Sequence, residues 1–295
     1  MLVLRLSLVA LALAACRETG WAAPDGSADA IVASDAAALT PGLRVATVNL
    51  RCLLEDWSLR VPLIVAELAE LDLDVIALQE VCREEGGADA LTDLTSLLDA
   101  ATGKSHQSVR AETHVAWDKY QEGIALLTPH TIKSMETVAL PTGVFPRKAL
   151  LASIEPELIS GQSVALRIAV THLSFGDDQA SVRVQQLGAL RAALQASAVV
   201  GESLFIAGDM NEKPNGEAIS AALADGYQDS WAQLNPFSDG PTYPAELPRT
   251  RIDYILFSPA SDAMQARQAM RFLETPTEGR YASDHLGVWA DFGAP

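Results

Sequence analysis

The sequence predicts an α/β fold with a sizeable core. Short apolar runs of strand character alternate with amphipathic helical stretches from residue 43 to residue 292, and 49% of the 295 residues are hydrophobic. Polar and ionisable side chains also recur where the apolar runs end. That length carries a soft prior of about two domains, while a single large α/β or two-sheet domain fits it as well. The hydrophobic fraction excludes a wholly disordered chain.

The first strand is Leu43–Asn49, where period-2 counting puts Asn49 on the face of Leu43, Val45 and Thr47. Residues 60–71 carry Val61, Ile64, Val65, Leu68 and Leu71 at helical spacing. Residues 74–80 read as a strand, and the same counting puts Glu80 on the face of Ile76 and Leu78. Leu91, Leu94, Leu97 and Leu98 mark a second helix. Residues 123–127, 150–154 and 164–171 are further strands, the last ending at His172. Val182, Leu187, Leu190 and Leu194 form one face of another helix. A strand at 204–207 runs into Gly208-Asp209-Met210-Asn211. Residues 254–257 open at Asp253, and residues 287–292 follow Ser283-Asp284-His285.

An ionisable group buried at a strand end costs free energy unless it is paired, hydrogen-bonded or metal-bound. One such group is ordinary turn chemistry. Here they recur at six strands: Asn49, Glu80, His172, Asp209 with Asn211, Asp253, and Asp284 with His285. Carboxylates and an Asn carbonyl suit a hard cation such as Mg²⁺ or Mn²⁺, and histidines beside acids suit proton handling and phosphate contact.

Charge narrows the function classes. Lys and Arg total 21 against 38 Asp and Glu, a net charge of −17. Such a chain repels phosphate backbones at long range, so no stable nucleic-acid complex is expected. A hydrolase that meets phosphates through a bound cation remains compatible with it. Three cysteines are too few for a disulfide scaffold, and their spacing matches no zinc pattern. Residues 6–15 form a short apolar run ending at Cys16, half the length of a membrane span, and read as a signal segment. Residues 16–41, rich in Ala, Gly, Ser and Asp, read as a flexible tether.

Seven segments carry a resemblance: TVNLR (47–51), ALQEV (77–81), EGIAL (122–126), THLS (171–174), GDMNEKP (208–214), RIDYIL (251–256) and SDHLGV (283–288). In this order they resemble the endonuclease/exonuclease/phosphatase superfamily, over roughly residues 42–293. The resemblance implies a four-layer α/β sandwich of two packed mixed sheets flanked by helices, one catalytic domain over 42–295, and a site where strand ends from both sheets converge. It implies a Mg²⁺-dependent phosphoesterase, Mn²⁺ being an alternative ion, with Glu80 as principal metal ligand and Asn49 and Asp284 on the metal side. Asp209 and Asn211 would position water and phosphate. His285 with Asp253 would be one histidine–acid pair, and His172 with Glu122 a second. Whether Asp209 or His285 takes the proton of water stays open. Arg147 reads equally as a phosphate contact and as a surface charge.

The expected substrate is a phosphodiester, or phosphomonoester, in a small or lipid molecule. An extracytoplasmic nuclease is the alternative enzyme, and an inactive binding module on the same fold the alternative of another class. No protein partner is inferred. Leu13-Ala14-Ala15-Cys16 resembles a bacterial lipoprotein box, which implies export and a membrane anchor on Cys16, in the periplasm or at the cell surface. Ordinary cleavage after Ala14 would leave a secreted protein instead.

If Cys16 is acylated, Cys52 and Cys82 remain, on strands that the resemblance places side by side. An oxidising compartment tends to close such a pair. Strand parity argues against it, since the offsets from Asn49 and Glu80 point to opposite faces. A turn directly after either residue removes the objection. Trp117, Trp231 and Trp289 read as core or rim packing, the Pro- and Gly-rich segment 236–248 as a loop bordering the site, and Glu84, Glu85 and Asp89 as a solvated loop.

Overall fold

The computed structural model describes residues 42–156, 164–260 and 264–294. The expected signal segment, Cys16 and the tether lie outside the described residues.

In chain order the elements begin β1 (Leu43–Asn49), α1 (Trp57–Leu71), β2 (Val75–Gln79), β3 (Arg83–Glu84), α2 (Ala90–Thr102), β4 (Gln107–Ala116) and β5 (Tyr120–Thr128). They continue with β6 (Ile132–Ala139), β7 (Lys148–Ile154), β8 (Leu166–His172), α3 (Ala180–Ser197), β9 (Ser203–Asp209) and α4 (Glu217–Ala224). The last are β10 (Gln228–Asp229), α5 (Ser230–Leu234), β11 (Asp253–Ser258), β12 (Gln265–Phe272) and β13 (Gly287–Gly293). Among the described residues, no helix is long and apolar enough to cross a membrane.

Two mixed sheets result. The first is ordered β12-β13-β1-β2-β5-β3, with β4 also on β5, and the second β10-β11-β9-β8-β7-β6. Alternation along each strand explains the layers. Leu43, Val45, Val75 and Ala77 face Ile168, Val170, Phe205 and Ala207 in the core between the sheets. Their neighbours Ala46, Val48, Ile76 and Leu78 point outward onto Ile64 and Leu68 of α1 and Leu94 of α2. Ala169 and Ile206 point outward onto Leu187, Leu190 and Leu194 of α3. The four-layer sandwich expected from the resemblance is the observed architecture.

Register then sets the site. Parallel pairing of β8 with β9 puts His172 beside Asp209, and antiparallel pairing of β11 with β9 puts Asp253 on its other side. Gly208 is required beneath them, because a Cβ there would lie 2.0 Å from the Thr171 carbonyl oxygen. In the first sheet, β1 beside β2 sets Asn49 against Gln79.

Two expectations need correction. Period-2 counting sends Glu80 outward with Ile76 and Leu78, toward the helices. Glu80 instead has φ 49°, which ends the strand and turns its carboxylate into the space between the sheets. Asp89 is not simply solvated: its carboxylate caps α2 by accepting from Leu91 N and Thr92 N, and it binds Arg110.

The same backbone turns close the disulfide. Arg51 and Cys52 also have positive φ, and Cys52 and Cys82 are bridged at a Cα–Cα distance of 4.8 Å. The bridge ties the segment after β1 to the segment after β2, across 30 residues of sequence. In the chain-entropy picture such a loop contributes about 3–4 kcal/mol. Thiol titration of the denatured, unreduced protein should find neither sulfur free, and Cys52→Ser with Cys82→Ser should lower stability by about that amount in urea unfolding. Two titratable thiols from this pair would contradict the bridge.

Candidate active site

Side chains from both sheets meet at one end of the sandwich, in a cavity of about 600 Å³. Asn49 is the hinge between them. Its oxygen accepts from Arg51 N at 2.9 Å, which fixes the amide orientation, so the NH₂ group faces the carboxylates. That group donates to Glu80 Oε1 at 3.0 Å and to Asp209 Oδ2 at 3.3 Å. Its oxygen accepts one backbone hydrogen bond, and its NH₂ group clamps the two acids together.

Asp209 sits at the centre. Its Oδ1 accepts from Asn211 N at 2.8 Å, while its Oδ2 lies 3.4 Å from His172 Nε2 and 3.8 Å from His285 Nε2. Asn211 has φ 48°, and its side chain is anchored on the Leu173 carbonyl at 3.1 Å. Burial, and after it Asp253, push the Asp209 carboxyl up to about 7.

His285 and Asp253 form the expected pair, Nδ1 to Oδ2 at 2.9 Å. Thr242 donates to the same Asp253 oxygen at 2.6 Å, and the Tyr243 ring packs 4.8 Å from the imidazole. Thus the loop 236–248 borders the site. Burial alone would lower the His285 pKa, but Asp253, by charge and hydrogen bond, and then Asp209 and Asp284 override it and push it up to about 10. The ring is therefore an imidazolium at neutral pH.

The second histidine–acid pair is not made in that form. His172 Nδ1 and Glu122 Oε1 are 3.9 Å apart, and the ring nitrogen has no hydrogen-bond partner. Glu122 turns to Arg147 at 3.4 Å, because a guanidinium stays charged where burial holds the His172 pKa well below its ordinary value. Burial, and then Glu80, push Glu122 itself up to about 7. Arg147 is only 4% exposed and lines the cavity, so it is no surface charge. Pro146-Arg147-Lys148 offered no sequence signal that separates the two readings.

Asp284 lines the rim of the cavity, 3.8 Å from Arg51. Ser283 reaches back to accept His285 N at 3.2 Å and to donate to the Asn49 carbonyl at 2.6 Å. Beneath them Arg60, 1% exposed, donates to the carbonyls of Leu50, Cys52, Leu54 and Ala282 and, among the described residues, has no carboxylate within ion-pair distance. It fastens the segment after β1 to the segment carrying His285, a role that its helical position did not reveal.

The donor set suits a divalent cation. Glu80, Glu122, Asp209 and Asp284 face the cavity against Arg147 and His285 alone as cations. Burial raises the Glu80 pKa, and no side-chain cation is ion-paired with it among the described residues. Asp209, Asp253 and His285 place ligand atoms within 4.8 Å of one another. His285 and Asp253 already bind each other through Oδ2, while the other Asp253 oxygen, Oδ1, has no hydrogen-bond partner among the described residues.

A family model described as "Endonuclease/Exonuclease/phosphatase family" matches residues 46–285. The curated protein angel homolog 2 of Bos taurus is 25% identical over 177 residues, 56% of this chain and 30% of that protein. The chain thus spans less than a third of that relative's length. Among solved structures, an endonuclease/exonuclease/phosphatase family protein from Leptotrichia buccalis superposes with TM-score 0.69 at 19% identity, covering 85% of this chain and 99% of the other. The human Nocturnin catalytic domain, solved with a bound sulfate anion, gives TM-score 0.67 at 22% identity, covering 86% and 94%. At these identities the likeness establishes the shared fold.

Proposed function

The chain belongs to the endonuclease/exonuclease/phosphatase family, and from that premise we propose that it is a divalent-metal-dependent hydrolase of phosphate esters in small or lipid molecules. Enzymes of this family are hydrolases acting on phosphoesters and are typically dependent on a divalent metal. One observation carries the reading: the Asn49 amide binds the half-buried Glu80 of one sheet and the buried Asp209 of the other, so two acids share one cavity.

Glu80, with Asp284 facing the same cavity, would hold the cation, which when bound neutralises charge developing on phosphate oxygens. Asp209 takes the proton of the attacking water. Its pKa near 7 suits a base at neutral pH, whereas His285, kept protonated by Asp253, has no free lone pair to offer. The His285 imidazolium and Arg147 face the phosphate and stabilise its oxygens. Asn211, fixed on Leu173, orients the water or a phosphate oxygen. Glu80, Asp209, Asn211 and His285 are all present, which weighs against an inactive binding module.

The test is release of p-nitrophenolate from bis-p-nitrophenyl phosphate and from p-nitrophenyl phosphate. Release should require Mg²⁺ or Mn²⁺, stop with EDTA and return when metal is restored. No metal-dependent release from either ester, nor cleavage of sphingomyelin, inositol phosphates or plasmid DNA, would reject the reading. The charge of −17 works against the DNA arm.

We place this activity outside the cytoplasm, with Cys16 as lipid anchor. Support comes from the apolar run before Cys16 and from the Cys52–Cys82 bridge, a bond that oxidising compartments preserve. Metabolic labelling with a fatty-acid analogue should mark the wild type and not Cys16→Ser. Equal labelling of both would leave secretion without an anchor.

A further inference from the structure

The cavity has two unlike walls. Its floor is the ionisable set already described. Its other wall is apolar and is drawn from three separate segments: Val115 near the end of β4 with Trp117 in the turn after it, Phe145 just before β7, and Phe175 just after β8. Phe145 lies flat against His114 at a ring separation of 4.5 Å, and Phe175 follows at 5.9 Å. Val115 and Trp117 are 56% and 57% exposed, Phe145 and Phe175 37% and 46%. Surfaces tolerate apolar side chains singly; four exposed ones lining a single cavity mark a binding surface. These four face the opening rather than the core, although burying them would have been favourable.

Arg147, two residues beyond Phe145, stands at the seam between floor and wall. With His285 it supplies positive charge for a single phosphate. Among the described residues lining the cavity, no row of basic side chains continues along the apolar wall, as tracking a nucleic-acid backbone would require.

Resting on the hydrolase reading above, we propose that Val115, Trp117, Phe145 and Phe175 form a subsite for an apolar alkyl or aryl group esterified to the phosphate held at the floor. The substrates are then single-phosphate esters bearing an apolar substituent. A group seated there lies outside the reacting centre, so its binding positions the ester over Glu80 and Asp209.

The probes are methyl-, butyl-, hexyl-, octyl- and phenylphosphonate in the presence of Mg²⁺. Binding is read as the difference in tryptophan emission between wild type and Trp117→Phe, and independently by calorimetry. Affinity should rise about two- to four-fold per added methylene until the wall is covered. Phe145→Ala with Phe175→Ala should flatten that slope to less than two-fold across the series. Val115→Asp, which places a charge on the wall and leaves the aromatic stack whole, should flatten it as well. Phenylphosphonate binding tighter than hexylphosphonate identifies an aryl substituent, and the reverse order an alkyl chain. Affinity independent of chain length in the wild type, or a slope preserved in both variants, would overturn the subsite. Binding needs no turnover, so a wild type that shows the slope but hydrolyses nothing defeats the hydrolase reading and leaves the subsite standing.

Discussion

Asp209→Asn is expected to lower kcat/KM for phosphate-ester hydrolysis by about 10³-fold, within the range general-base catalysis supplies. The substitution keeps the shape of the side chain and an oxygen for Asn211 N, and removes the capacity to take a proton. No neighbour replaces it. His285 is held as an imidazolium by Asp253, and His172 is a neutral ring whose Nε2 faces Asp209 itself at 3.4 Å. A loss smaller than tenfold, in a folded variant, would remove Asp209 from the base role.

Glu80→Gln is the second large effect, a fall of about 10²-fold or more together with a higher divalent-metal midpoint. Glu80 stands at a left-handed residue after β2, held by the Asn49 amide, half-buried and, among the described residues, without an ion-paired side chain. Burial raises its pKa, so a carboxylate kept there needs a cation to offset the cost. Glutamine retains the hydrogen-bond geometry and loses the charge. Metal titration of hydrolysis in both proteins checks it. An unchanged rate with an unchanged midpoint would transfer the cation to other ligands.

Much of this was legible in the sequence because strand periodicity is simple. The alternation in Leu43–Asn49 alone placed Asn49 toward the other sheet, where it binds Asp209. Parity failed one strand later, at Glu80, because a single left-handed residue rotates the side chain by half a period, and no sequence rule marks a glutamate for that conformation. The same turn made Cys52–Cys82 bridgeable. β4, β6 and β12 escaped notice since their residues are only partly buried and show no clean alternation. Arg60 escaped, and Arg147 stayed open between two readings, for another reason: an arginine is ordinarily a surface residue, and only tertiary contacts show these two to be buried. The apolar wall was invisible because its members come from segments separated by tens of residues and meet only in space.

The most direct test of one catalytic centre shared by two sheets is a double-mutant cycle on metal-dependent bis-p-nitrophenyl phosphate hydrolysis, using wild type, Glu80→Gln, Asp209→Asn and the pair. If both acids serve one reacting phosphate, the double variant should fall no more than about threefold below the worse single variant, as groups acting as a unit do. Losses that multiply to about 10⁵-fold, or a wild type with no metal-dependent rate at all, would contradict the shared centre.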